Sequence, residues 1–161
     1  KEKAIYNRYT YAFSVGVFSY ITSKYCDNAD WGIVDNKKIL EPGDDAATAA
    51  WGGNWRTPTV DELNDLFSNT TWVWTTLNGV NGFRVTSKIP GYTDRSIFLP
   101  AAGVCGANRQ MGEGISGHYW TSSTSDAGYN SAWQLFFDYG AVRGFGGNRL
   151  EGYTIRPVCD K

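Results

Sequence analysis

The most regular pattern in the chain is the period of two in "SAWQLFFD", where Trp133, Leu135 and Phe137 alternate with Ala132, Gln134, Phe136 and Asp138. That period marks a strand with one face against a core. It predicts Trp133, Leu135 and Phe137 on the buried face and Gln134, Phe136 and Asp138 on the displayed one. "HYWTSS" before it and "YTIRPV" after it read as further short β runs. Upstream, "TWVWTTL" and "FRVTSK" read as two strands joined through "NGVNG", with Gly79 and Gly82 supplying the turn geometry. "SIFLPAAG" adds a short strand stopped by Pro100. "VCGANRQMGEGISG" carries too many glycines for a regular element and is expected to be a long loop.

A helical period appears in "TPTVDELNDLF". Thr59 followed three residues later by Glu62 is a reciprocal capping box, and Leu63, Leu66 and Phe67 form an apolar stripe behind it. The helix is expected to end between Phe67 and Asn69. "DDAATAAWGG" can hold one or two helical turns from Asp45 to Trp51 before Gly52 and Gly53 end them. The rest of Cys26 to Trp55 is turn-rich. Over Tyr6 to Tyr25 the periodicity does not decide, and aromatic and β-branched content favours strand.

Composition agrees with β structure and a minority of helix: charged residues are sparse at 19%, against 16% aromatics and 19 glycines. The 161 residues suit one domain that buries about two-thirds of its unfolded surface. A net charge of -1 gives no long-range positive field, which argues against a nucleic-acid partner. No apolar run approaches the roughly 20 residues needed to span a bilayer, so direct membrane insertion is not expected. The opening "KEKAIYNRYTYAF" has neither Met nor an apolar signal core and reads as a mature or excised segment. Cys26, Cys105 and Cys159 lack metal-ligand spacing, and one disulfide plus a free thiol or three reduced thiols both fit.

Catalytic chemistry finds little purchase. His118 is the only histidine, and at the head of "YWTSS" it reads as structural or solvent-facing. Glu41, Asp44 and Asp45 could chelate calcium, but a solvated turn beside a short helix is the better reading. Arg56 and Arg156 are expected to be structural, Arg56 by tying the helix entry to the sheet. Recognition is the stronger case. Ser125 to Arg149 mixes Tyr and Trp, which give rigid contact area, with Ser, Gly and Asn, which give adaptable hydrogen bonds. Trp133 and Phe137 are assigned to the core and Phe136 to the surface. For Tyr129, Tyr139 and Phe145, core and surface stay open.

The blocks "WGGNWRTPTVDELNDL", "GFRVTS", "IFLPAAG", "GHYWTSS", "AWQLFF" and "GYTIRPV" resemble, in order, the Fibrobacter succinogenes major paralogous domain found in gut Bacteroidetes surface proteins. The resemblance runs from Cys26 to Val158. It implies an α+β, C-type lectin-like fold of short antiparallel strands with one or two helices and long loops, as a single domain over 1–161. The family's N-terminal strand with a tryptophan-alanine-threonine run has no clear counterpart, so either "YAFSVGVF" replaces it or part of that region is missing. Formylglycine-generating enzymes share the fold class but need two neighbouring cysteines, whereas Cys105 and Cys159 are far apart in the chain. Calcium-dependent lectins use a Glu-Pro-Asn triplet and a Trp-Asn-Asp strand. Here "EPG" is misplaced for that role and Trp133 precedes Gln134 and Leu135.

Variable proteins of diversity-generating retroelements also belong to this fold class, and likeness to them makes 119–158 the candidate binding segment. The implied constant frame is "YWTSS", Ala132, Leu135, Phe137, Arg149 and "GYTIRPV". The implied displayed positions are Ser125, Tyr129, Asn130, Ser131, Gln134, Phe136, Asp138, Tyr139, Arg143, Phe145 and Asn148, the last few in a loop. The expected function is therefore non-enzymatic ligand binding to a cell-surface protein or glycan receptor, without cofactor or metal, at a cell surface or on a phage virion. A carbohydrate-binding module and a structural domain of a larger adhesin are the alternatives.

Overall fold

A computed structural model describes residues 22–106, 109–128 and 130–160. Of the strand expected over Tyr6 to Tyr25, residues 6–21 lie outside the described residues, and 22–25 form no strand beyond one isolated bridge at Thr22. From residue 22 to 45 the chain is irregular, held by isolated bridges such as Thr22 with Gly32 and Ile39 with Ser123. A polar knot fixes it: the Tyr25 hydroxyl donates to Asp44 Oδ2 at 2.5 Å, and Lys24 Nζ pairs with the same carboxylate at 2.8 Å.

Helix α1 (Ala46–Trp51) starts at Asp45, whose side chain caps it by accepting from the Ala47 amide, and stops at Gly52 with φ 69°. Strand β1 (Trp55–Arg56) follows, then α2 (Val60–Asn69). The expected capping box is present in full, with Thr59 and Glu62 each accepting the other's backbone N–H. Asp61 and Glu62 in the first turn also favour the positive end of the helix dipole. Leu63 is buried, and Leu66 and Phe67 pack against the same core. Burial of such side chains contributes about 1.5–3 kcal/mol each.

Strands β2 (Thr70–Leu77) and β3 (Val80–Ser87) form a hairpin around Asn78 and Gly79, whose φ values of 52° and 80° suit a two-residue type I′ turn. Gly82, expected in the turn, instead lies within β3, where a Cβ would come within 2.2 Å of the Leu99 carbonyl oxygen. It is glycine because β4 (Ser96–Pro100) passes so close. The order of this sheet is β2-β3-β4.

The glycine-rich segment expected to be a long loop contains a small hairpin, β5 (Val104–Gly106) with β6 (Arg109–Met111), and the first residues of β7 (Ser116–Thr124). Gly103 and Gly112, both with φ 70°, flank that hairpin, so the glycines shape the turns between elements. Strands β7, β8 (Ser131–Asp138) and β9 (Ala141–Asn148) make an antiparallel meander. The region through Asn148, expected to be a loop, is thus strand β9. "YTIRPV" is only in part a strand: Thr154 bridges Tyr119, and Val158 enters β10 (Val158–Cys159) opposite β1. Pro157 has no N–H to extend the ladder.

The product is a mixed α+β domain of short, mainly antiparallel strands in several sheets with one major helix. Leu63 of α2, Phe83, Val85 and Leu99 of the first sheet, and Tyr119, Leu135 and Phe137 of the meander meet in one core. Phe137, fully buried, lies 5.3 Å from the Phe83 ring and 5.8 Å from the Tyr119 ring. The inner face of the meander is thereby committed to packing. Its outer face is left for other work.

Candidate functional site

Cross-strand register sets what the outer face carries. His118 is opposite Phe136, which is opposite Arg143; one row on, Trp120 is opposite Gln134, which is opposite Phe145. These rows alternate with the core row of Tyr119, Leu135 and Gly144. Residue Thr154 pairs beside β7, and its neighbour Tyr153 adds a ring to the same face, 4.9 Å from His118 and 4.2 Å from Trp120. Phe136 stands 5.0 Å from His118 and 5.7 Å from Phe145, with the Arg143 guanidinium 5.8 Å above its ring. Five rings and one cation therefore form a continuous surface, with Phe145 39% exposed.

Gln134 lies beneath it. The side chain expected on display is 1% exposed. Its Oε1 is 3.1 Å from His118 Nδ1 and its Nε2 donates to the Tyr153 hydroxyl at 3.4 Å. The alternation correctly put Gln134 on the outer face, but it is buried there, bonded to Tyr153 and flanked in register by Trp120 and Phe145. Gly147 makes room: a Cβ at that position would come within 2.5 Å of Gln134 Nε2 and 2.7 Å of the Tyr153 ring. Burial raises the Tyr153 hydroxyl above its ordinary pKa, so it keeps its proton across the neutral range.

The other expected positions divide by place along the strands. Ser125 is buried, its Oγ donating to Ser131 Oγ at 2.8 Å, which removes it from the displayed set. Ser131 and Asn130 are half-buried, and Asn130 Nδ2 donates to Asn148 Oδ1 at 2.9 Å. At the opposite end Asp138 Oδ1 accepts from the Gly140 amide at 2.9 Å and so shapes the hairpin, while Tyr139 at its tip is 81% exposed. The two ends are separated by the length of β8, about 23 Å at the usual rise per residue. Phe136, Arg143 and Phe145 are brought together. The polar end and Tyr139 flank them. Tyr129 lies outside the described residues.

His118, Trp120 and Tyr153 belong to this surface without having been singled out for it. The signal was present: His118 and Trp120 alternate with buried Tyr119 in "HYWTSS", as Phe136 does with Phe137. A cleft of about 420 Å³ opens beside these rings, lined by Gly103, Cys105, Gln110, Trp120, Tyr153 and Thr154. It is a concave neighbour to an otherwise flat strand surface.

The acidic residues weighed for calcium are separately engaged. Glu41 pairs with Lys37 at 2.7 Å, Asp44 with Lys24 and Tyr25, and Asp45 with Ala47 and Thr57. Among the described residues no group of three His, Cys, Asp or Glu is placed to hold a metal ion. The three cysteines are free thiols: Cys26 buried, Cys105 half-buried and Cys159 exposed. Arg56 has the structural place expected of it, with both terminal nitrogens on Glu62 at 2.7 Å and its Nε and Nη2 also donating to the Asp160 carboxylate. Among the described residues no helix is long and apolar enough to cross a membrane.

No protein family matches the chain, nor does any curated protein or any solved structure.

Proposed function

We propose that this protein is a non-enzymatic ligand-binding domain of C-type lectin-like architecture, which presents the outer face of β7, β8 and β9 to a protein or glycan receptor at a cell or virion surface. One observation carries the reading: Phe136, Phe145, His118, Trp120 and Tyr153 form a ring surface on the side of the meander away from the core, with Arg143 above it. Stability alone does not call for such rings there, and rigid aromatics flanked by Arg, Asn and Ser suit recognition. Buried Gln134 holds two of the rings from below, so little ordering is left for binding to impose. The exposure of Tyr139 and Phe145 weighs against a purely structural domain. Diversification by a retroelement is part of the proposal, with Asn130, Tyr139, Arg143, Phe145 and Asn148 as the accessible positions.

The test is a binding screen of the purified domain against a glycan array and a set of displayed surface ectodomains, repeated with Phe145→Ala and Arg143→Ala. Loss of at least about tenfold in affinity, with unchanged circular dichroism, is expected from each variant at a hot-spot position. Retention of full affinity by both variants would refute the assignment of this face. A hit confined to glycans would select the carbohydrate-binding form of the reading. Sequencing the locus from related isolates tests diversification, which substitutions spread evenly along the gene would exclude.

A further inference from the structure

The surface that adds most beyond the proposed receptor face lies on the opposite sheet, at the free edge of β2. β2 ends the order β2-β3-β4 and has no ladder partner on its other side among the described residues. From Thr70 to Leu77 it carries no charge, no proline and no bulge, the devices that usually protect such an edge. Its sequence Thr70-Thr71-Trp72-Val73-Trp74-Thr75-Thr76 is a palindrome centred on Val73. Two copies running antiparallel about Val73 therefore set Thr against Thr, Trp against Trp and Val against Val.

Backbone direction decides whether that register can form. In β3 the Ser87 amide and the Asn81 carbonyl bond toward the β4 side, to Arg95 and Ala101, while the Lys88 amide bonds back to the Asn69 carbonyl. Even-numbered residues of β3 consequently face β2, and through the observed register they engage Thr71, Val73, Thr75 and Leu77. Pro100, which has no N–H, stands opposite Gly82 and fits the same alternation. The outward N–H and C=O groups of β2 are thus those of Thr70, Trp72, Trp74 and Thr76. A two-fold at Val73 pairs Trp72 with Trp74 of the second copy and Thr70 with its Thr76, so every outward group meets an outward group. Val73 becomes the non-bonded central pair, where side chains approach most closely.

We infer that β2 is a homodimerisation edge, in which two copies of this chain join antiparallel about Val73 into one sheet running β4-β3-β2 and on through the second copy. Val73, 59% exposed on the outer face, covers its counterpart. Trp72 and Trp74, half-buried on the inner face, form cross-strand aromatic pairs with those of the second copy. The contact is narrow, so association is concentration-dependent. A dimer of this kind would present two receptor faces and raise avidity, a consequence that rests on the proposed function while the dimer itself does not.

Sedimentation of the full chain from micromolar concentration to about 1 mM reads the dimer directly. Val73→Lys, which sets two ammonium groups face to face at the two-fold, is expected to raise the dissociation constant roughly tenfold or more without changing circular dichroism. In a Cys159→Ser background, Val73→Cys is expected to oxidise to a covalent dimer linked through the two introduced thiols, because non-bonded pairs have Cα atoms about 4.5 Å apart, within disulfide reach. A chain that stays monomeric throughout overturns the inference. So does a dimer indifferent to Val73→Lys, or a dimer in which the introduced thiols do not link.

Discussion

Gln134 Oε1 lies 3.1 Å from Nδ1 of His118, a diagonal cross-strand bond made by a side chain that is 1% exposed and also meets the Tyr153 hydroxyl. A buried amide with partners at both ends is a positioning element for the aromatic face. Gln134→Leu, close in size but without polar atoms, strands His118 and the Tyr153 hydroxyl and is expected to cost about 1–3 kcal/mol in urea denaturation. Tyr153→Phe removes only the 3.4 Å bond and should cost less than about 1 kcal/mol. Equal costs for the two variants would show that the His118 bond adds nothing.

On the other face of the meander Gly117 supports the core by lacking a side chain. A Cβ there would lie 2.1 Å from Cζ of Phe137, which is completely buried and hemmed in by Phe83 and Tyr119. The ring has nowhere to move. Gly117→Ala is expected to cost about 1–3 kcal/mol as overpacking strain, read as a lowered melting temperature. Adding Phe137→Leu should make the pair of changes less costly than their sum, since the second substitution relieves the clash. Simple additivity would contradict this account.

The contrast between these two residues indicates what a linear pattern can reveal. Helix α2 is legible because its cap and apolar stripe are local, and the β2–β3 hairpin because two β-rich runs flank "NGVNG", although the turn itself is Asn78 and Gly79 and not Gly82. The alternation in β8 separated Phe137 from Phe136 and Gln134 correctly by face. It could not show that Gln134 is covered, because the cover comes from Tyr153, which is distant in sequence. The segment through Asn148, expected as a loop, is strand β9, where Gly144 admits the α2 side chains, with Phe67 3.4 Å from where its Cβ would be. Pairing with β8 imposes the strand there and overrides low intrinsic propensity. Of the aromatic face, alternation within β8 placed Phe136, while Arg143 and Phe145 came from the family resemblance, with Phe145 open between core and surface on its residues alone. The contribution of His118, Trp120 and Tyr153 emerges only from register.

Asp45 joins two elements through one buried carboxylate. Oδ1 accepts from the Ala47 amide at 2.8 Å and from Thr57 Oγ1 at 2.7 Å, and Oδ2 accepts from the Thr57 amide at 2.7 Å. Asp45→Ala takes away the α1 cap and leaves buried donors at Thr57 unpaired. A loss of roughly 2–4 kcal/mol is expected, combining cap and buried-donor costs. Asp45→Asn should fall between the wild type and Asp45→Ala, since one carbonyl oxygen remains but an NH2 group must face a donor. Chemical denaturation of the three proteins checks that order.

Arg56 and Glu62 give stability a pH dependence of known sign. Two guanidinium bonds of 2.7 Å hold the Glu62 carboxyl down to about 2 from 4.5, with burial opposing and the Thr59 amide assisting. The folded value lies below the unfolded one, so the stabilisation is fully present above about pH 4.5 and is lost as pH falls toward 2. The carboxylate is 39% exposed, and solvent screening reduces the contribution to roughly 1 kcal/mol. Glu62→Gln is therefore expected to be less stable than wild type at neutral pH, with the gap closing as the solution is acidified through that window. Comparing the two proteins cancels the separate titration of Asp44, which Lys24 and Tyr25 also hold below its usual range. A urea-midpoint difference that stays constant from neutral pH to the acid limit would mean that the ion pair does not carry the effect.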